Sequence, residues 1–213
     1  MPLPATTSLW LLVCFLAPPT DSLNNVTSLT GTWSSKSNTV FTGPDFYDPV
    51  IEDMKEPRLT GTSFSFTDDG YFEEALYLVI SNPTSPSCPK AIMQWQHGRY
   101  EIAENGSLIL NPIAVDGRQL LSDPCKYSSS IYTRFSITEI YNRWEIFIDK
   151  YRGKYRLGLY RFDGSPMNPL YLAYRPPKIL PTETLNPTTT TPEATGASKS
   201  NLKRSQLPDL RGA

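Results

Sequence analysis

The chain predicts an all-β, antiparallel domain. Three observations carry that prediction: apolar residues alternate with polar ones at period two, turn residues recur at about ten-residue spacing, and helical periodicity is absent. Twenty Pro and 12 Gly in 213 residues favour many turns and few long helices.

Gly31-Thr32-Trp33 opens the first expected strand. Residues 48–55 allow one short helical turn, bracketed by Pro49 and Pro57. Asp68-Asp69-Gly70 reads as a turn, and Tyr71-Phe72 leads from it into 75–80, apolar throughout and suited to a buried strand. A Ser- and Pro-rich turn at 82–89 follows and contains Cys88. Residues 92–96 alternate in part. Residues 99–102, the Asn105-Gly106 turn and 108–110 make a hairpin.

The second half alternates more clearly. Residues 132–140 read as one strand, and Trp144, Ile146 and Ile148 continue the pattern in the next. A turn at Arg152-Gly153 leads to Tyr155, Leu157 and Leu159. Asp163-Gly164 makes the next turn, and residues 170–174 form the last strand. Evenly spaced short strands of this kind close into a barrel or pack as a β-sandwich. Gly31-Thr32-Trp33 resembles the lipocalin signature, in which the Trp closes one end of a barrel. A lipocalin- or calycin-like barrel therefore leads, with the sandwich as alternative.

Residues 9–17 form an apolar run of about nine residues, the size of a signal-peptide core and about half a membrane span. Pro18-Pro19 ends it. The expected organisation is a signal peptide at 1–22, one β domain at 23–177 and a disordered Thr/Pro-rich tail at 178–213. No second apolar run follows the domain.

Entry into the secretory pathway sets how the cysteines and sequons are read. Cys14 lies in the signal, which leaves Cys88 and Cys125. In an oxidising lumen they most simply form one disulfide, worth about 4 kcal/mol in the chain-entropy picture. A redox pair or two metal ligands are the alternatives. No C-x-x-C occurs and His97 is the single histidine, so a four-ligand zinc site is not expected. Asn25-Val26-Thr27 and Asn105-Gly106-Ser107 are glycosylation sequons, and Asn105 sits where a glycan would project from a turn.

Catalytic chemistry finds little support. Asp68, Asp69, Glu73 and Glu74 lie near aromatic residues, as in sugar-handling sites, but acids flanking a strand are ordinarily exposed. His97 beside Gly98 reads as a turn residue. No Gly-x-Ser-x-Gly or phosphate-binding loop occurs, and no cofactor is implied. Net charge −1 gives no electrostatic footprint for nucleic acid or anionic membranes.

Several longer blocks carry a family resemblance: Gly31-Thr32-Trp33-Ser34-Ser35-Lys36-Ser37-Asn38, Phe41-Thr42-Gly43-Pro44, Phe46-Tyr47-Asp48-Pro49, residues 116–125 ending in Asp123-Pro124-Cys125, and residues 163–177. They resemble the fungal Rot family, endoplasmic-reticulum proteins needed for normal cell-wall β-1,6-glucan. The resemblance runs from about Gly31 to Thr188. It implies a chaperone for secretory and cell-wall clients, in the lumen or on the lumenal face of the membrane, and not an enzyme. It also implies cysteines at 88 and 125. It leads one to expect a C-terminal membrane span, for which this chain has no apolar run.

Overall fold

The computed structural model describes residues 28–186. The signal peptide expected at 1–22 and most of the Thr/Pro-rich segment lie outside the described residues. Those described form twelve strands and no helix. Eight strands pair antiparallel in chain order: β1 (Gly31–Ser35), β4 (Gly61–Phe66), β5 (Tyr71–Ile80), β6 (Lys90–Ile102), β7 (Leu108–Pro112), β10 (Glu139–Asp149), β11 (Lys154–Arg161) and β12 (Leu170–Tyr174). β12 then pairs with β1, so the circuit of hydrogen-bonded neighbours closes on itself.

Two short ribbons are inserted into the circuit. β2 (Tyr47–Asp48) and β3 (Asp53–Met54) pair with each other in the β1–β4 connection. The helical turn expected at 48–55 is therefore corrected: Pro49 lacks the N–H a helix interior needs, and two strands flank a tip at 49–52. β8 (Arg118–Ser122) and β9 (Ile131–Arg134) form the second ribbon. β6 pairs with β5 along one edge. It divides the other between β7, at 98–102, and β8, at 91–95.

The strand expected over 132–140 is also two pieces. β9 ends at Arg134 and β10 begins at Glu139. Between them Phe135 N donates to the Gly117 carbonyl and Ile137 N donates to Gln96 Oε1, which diverts the backbone from the ladder. Alternation continues across the break, so period two alone cannot locate it.

Strand alternation sorts the side chains into two apolar clusters. Trp33, Phe64, Phe66, Phe72, Leu108, Leu110, Tyr141, Leu157, Leu159 and Leu170 meet in one, with Tyr100 of β6 packed against it. All eight circuit strands contribute. Burying each such side chain is worth about 1.5–3 kcal/mol. The opposite faces of β5 and β6 carry Ala75, Tyr77, Met93 and Trp95. They pack with Val40, Phe46, Tyr47, Met54, Leu120 and Leu180 in a second cluster. Gly98 is needed where β6 meets β7, because a Cβ there would lie 2.1 Å from the Asn111 carbonyl oxygen.

The described residues run on past 177 to 186. Residues 178–186 form a strap across the second cluster, and Leu180 is buried. The strap is fastened by polar groups, not by a ladder. Lys178 N donates to Thr32 Oγ1 at 2.7 Å, and its carbonyl accepts from Thr42 and Ser65 hydroxyls. Leu180 N donates to Glu73 Oε2 at 2.6 Å. Leu185 N and Asn186 N donate to the two oxygens of Asp116, at 2.9 and 2.7 Å. Short polar runs such as Thr182 to Leu185 carry no apolar periodicity, so their fastening is invisible in composition.

Glu73 also accepts from Gly43 N at 2.5 Å and Trp95 Nε1 at 2.8 Å. Glu73→Ala leaves three buried N–H donors without acceptors, each costing about 1–3 kcal/mol. The expected result is a loss of at least ~3 kcal/mol in chemical denaturation. An unchanged midpoint would contradict the strap's fastening.

Candidate functional site

Glu73 and Glu74 are consecutive on β5, so their side chains leave on opposite faces. The expectation that acids flanking this strand are exposed is corrected, because both are buried. Burial pushes the Glu73 carboxyl up to about 7, against the hydrogen bonds from Trp95, Gly43 N and Leu180 N. Glu74 faces the eight-strand cluster, across from Gln96 of β6, whose Nε2 donates to Glu74 Oε2 at 2.8 Å. Burial first, and then the charge of Glu139, push Glu74 up to about 8. Burial also raises Glu139, whose carboxylate accepts the Tyr141 hydroxyl; Tyr141 and Arg161 oppose the rise. At neutral pH the Glu74–Glu139 pair therefore retains a proton.

His97 is not in a turn. It lies within β6, stacked on Trp95 at 4.8 Å between ring centres, with Nε2 2.8 Å from Asp116 Oδ2. Burial lowers the His97 pKa against the pull of Asp116. Tyr47 also stacks on Trp95, with ring centres 4.2 Å apart. Arg118, itself buried, donates to the carbonyls of Val115, Asp116 and Gly117 and reaches Glu52 at 3.1 Å. A His–Asp pair is the stuff of general-base catalysis, but His97 is 1% and Asp116 0% exposed. Sealed in this way, the pair holds the 113–117 loop and the strap and presents no face to a substrate. Among the described residues, no group of three or more His, Cys, Asp or Glu could hold a metal ion.

Cys88 and Cys125 are joined as a disulfide with Cα atoms 5.6 Å apart. The bond ties the β5–β6 connection to the β8–β9 connection. Lys90 and Asp123 form an ion pair of 2.9 Å beside the two connections. Asn105 is exposed in the β6–β7 turn, where Gly106 adopts φ +83°. Its Oδ1 accepts from Ser107 N at 3.0 Å. Asn25 lies outside the described residues. Asp68 and Asp69 stand in the turn before β5, as expected.

The accessible candidate surface is apolar and aromatic. Val50 and Ile51, at the tip between β2 and β3, are 90% and 67% exposed. Leu78, Val79 and Ile80 are partly exposed at the end of β5. The β10–β11 hairpin presents Phe147, Ile148 and, at its tip, Tyr151 at 95% exposure. A shallow groove of about 340 Å³ is lined by Ser35, Gly61, Thr62, Leu76, Asn168 and Tyr171. The sequence reading named none of these as a site, because alternation identifies two faces without saying which is covered. No helix among the described residues is long and apolar enough to cross a membrane.

A strand circuit packed with its own side chains, with buried acids and exposed apolar groups, defines an all-β class of protein. The family comparison gives that class a description: residues 29–210 match the family model Rot1, a fungal chaperone for protein folding within the endoplasmic reticulum. Protein ROT1 of Candida glabrata is 59% identical over 180 residues, covering 83% of this chain and 68% of that protein. Protein rot1 of Emericella nidulans is 61% identical over 161 residues, covering 76% and 69%. Protein ROT1 of Saccharomyces cerevisiae strain S288c is 59% identical over 179 residues, covering 84% and 70%. The chain belongs to the Rot1 family. No solved structure matches it.

The raised Glu74 pKa makes stability fall as pH rises from the unfolded value near 4.5 to about 8. His97, with its lowered pKa, acts in the opposite sense as pH falls below about 6.5 and does so equally in a Glu74 variant. Glu74→Gln should therefore gain in thermal midpoint relative to wild type between pH 5 and pH 8, by circular dichroism. A gap that stays constant across that range would contradict the assignment. Replacing Cys88 and Cys125 by Ser should cost about 4 kcal/mol or less, read as a lower unfolding midpoint under oxidising conditions.

Proposed function

We propose that this chain is a lumenal chaperone that assists folding of secretory and cell-wall biosynthesis proteins and thereby supports β-1,6-glucan levels. Membership of a family described as an endoplasmic-reticulum chaperone supports the general role. One structural observation carries the mode of action. Large apolar side chains stand exposed at loop and hairpin tips, among them Val50, Ile51 and Tyr151, while the centre of the molecule is full.

The eight strands, taken in chain order and closing on themselves, read as an up-and-down barrel of lipocalin-like connectivity. A carrier of that kind needs a ligand-sized apolar cavity. Trp33, Phe64, Phe66, Phe72, Leu108, Leu110, Leu157 and Leu159 occupy the space such a ligand would take. This favours a protein-binding exterior over the carrier or glycan-binding alternative. The sequence holds no nucleotide-binding loop, so client binding would run without ATP.

A glycan on Asn105 agrees with the lumenal reading. The Ser107 N–H engages only Oδ1, which leaves Nδ2 available for the linkage, and Gly106 has no neighbour within 4 Å of a Cβ position. Asn105→Gln should lower the apparent mass of protein recovered from the secretory pathway, as endoglycosidase treatment does. Equal mobility of variant and wild type would rule the modification out.

The main test is aggregation of a denatured secretory protein with the chain present and no nucleotide. The expected result is slower light-scattering growth at equimolar ratio, with loss of the effect for Val50→Ser/Ile51→Ser/Tyr151→Ser. No suppression at several-fold molar excess would overturn the proposal.

A further inference from the structure

The β10–β11 hairpin runs beyond the strand circuit. β10 pairs with β7 only through Glu139, Ile140 and Tyr141, whereas its other edge pairs with β11 from Tyr141 to Asp149. Among the described residues, no strand pairs with the second edge of residues 143–149. That edge is roughly 23 Å of backbone at ordinary strand rise. Exposed strand edges are usually blunted by proline, by lysine or by a covering loop. A register shift at Tyr141/Arg143 and the charges of Arg143, Glu145 and Asp149 temper this edge, but residues 143–149 contain neither Pro nor Lys, and Phe147 and Ile148 are exposed along them.

The hairpin is strongly basic within a chain of net charge −1. Residues 143–161 include Arg143, Lys150, Arg152, Lys154, Arg156 and Arg161 against Glu145 and Asp149. Both acids are already engaged. Glu145 Oε1 accepts the Tyr160 hydroxyl at 2.6 Å, and Asp149 accepts the Tyr171 hydroxyl at 3.0 Å and Tyr151 N at 2.9 Å. Three guanidinium groups lie over aromatic rings: Arg143 on Tyr160 at 4.0 Å, Arg152 on Tyr171 at 4.8 Å and Arg156 on Phe147 at 5.2 Å. Phe147 lies on β10 itself, Tyr160 on β11 and Tyr171 on β12, so the three cations share one face of this sheet; Arg143, on the open-edged strand, is also 3.7 Å from Glu145.

We propose that the open edge of β10 takes up an extended segment of another polypeptide that alternates acidic and apolar residues. Backbone N–H and C=O groups of residues 143–149 supply the ladder. The arginines meet the acidic side chains, and Phe147 lies beside the apolar ones. Charge selects this occupant over the others. The chain's own sequence after residue 186 has Lys199, Lys203, Arg204 and Arg211 against Glu193 and Asp209, so it is itself basic. Pairing two copies edge to edge would bring two basic hairpins together. The inference rests on the client-binding reading and specifies where and how an acidic client segment binds.

The test uses the full chain and a synthetic peptide of ~8 residues alternating glutamate and valine, an ordinary strand length. Peptide binding should slow hydrogen exchange at alternate amides of residues 143–149. A lysine–valine peptide should not bind, and Arg143→Glu/Lys154→Glu should weaken the acidic peptide about tenfold or more. Protection elsewhere or nowhere, equal binding of the basic peptide, self-association through this edge, or capture of phosphatidylserine vesicles in place of the peptide would each overturn the proposal. The wild-type exchange map decides the matter even if the double variant misfolds. If the double variant folds, loses the peptide and still suppresses aggregation, the docking edge falls and the chaperone reading stands. If wild type binds the peptide at this edge but suppresses no aggregation, the docking edge stands and the chaperone reading falls.

Discussion

The pairing of β12 with β1 is the constraint on which the rest depends. It joins the last strand to the first through Thr32, Trp33, Ser34 and Ser35 and turns a row of hairpins into a closed circuit. Closure removes the two free edges that an open eight-strand sheet would expose. It also forces one face of every strand toward a common centre. Trp33 sits at that seam, fully buried, with its Nε1 donating to the Leu29 carbonyl at 2.6 Å. An indole at this position satisfies its own polar atom while packing in the central cluster.

Closure also explains why the second apolar cluster needs a cover. The opposite faces of β5 and β6 are as apolar as the enclosed ones, so the chain must supply a lid from its loops and its C-terminal side. It does so with the β2–β3 ribbon, β8 and the strap at 178–186. A strap too short and polar for a ladder is fastened by carboxylates, because an ionised or neutral carboxyl oxygen accepts backbone N–H groups in places where no strand can lie. Glu73 and Asp116 do this from beneath it. Glu74, one residue on, faces the other way and pairs with Gln96 inside the circuit. One strand thus carries acids with different tasks on its two faces.

Much of this was legible in the residues. The hairpins at Asn105-Gly106, Arg152-Gly153 and Asp163-Gly164, the strand at residues 170–174 and the opening at Gly31-Thr32-Trp33 follow from turn chemistry and period two. These are local rules, so a single sequence suffices. The buried acids were not legible, since Glu73 and Glu74 look like surface charges until β4, β6 and the strap close over them. His97 misled for a related reason. Gly98 beside it suggested a turn, but the glycine answers to the close approach of Asn111 on the neighbouring strand. The strap is not legible locally because its contacts are between residues far apart in sequence, 107 positions for Glu73 and Leu180 and 69 for Asp116 and Leu185. The exposed apolar groups are legible only as exposure, a property of the whole fold.

The most direct test of closure is native-state hydrogen exchange across the β1–β12 seam, compared with β4 and β5. If closure holds the fold together, the hydrogen-bonded seam amides should exchange only through global unfolding, with the same free energy and denaturant dependence as those of the β4–β5 ladder. Exchange at the seam by a low-energy local opening, while β4 and β5 stay protected, would contradict it.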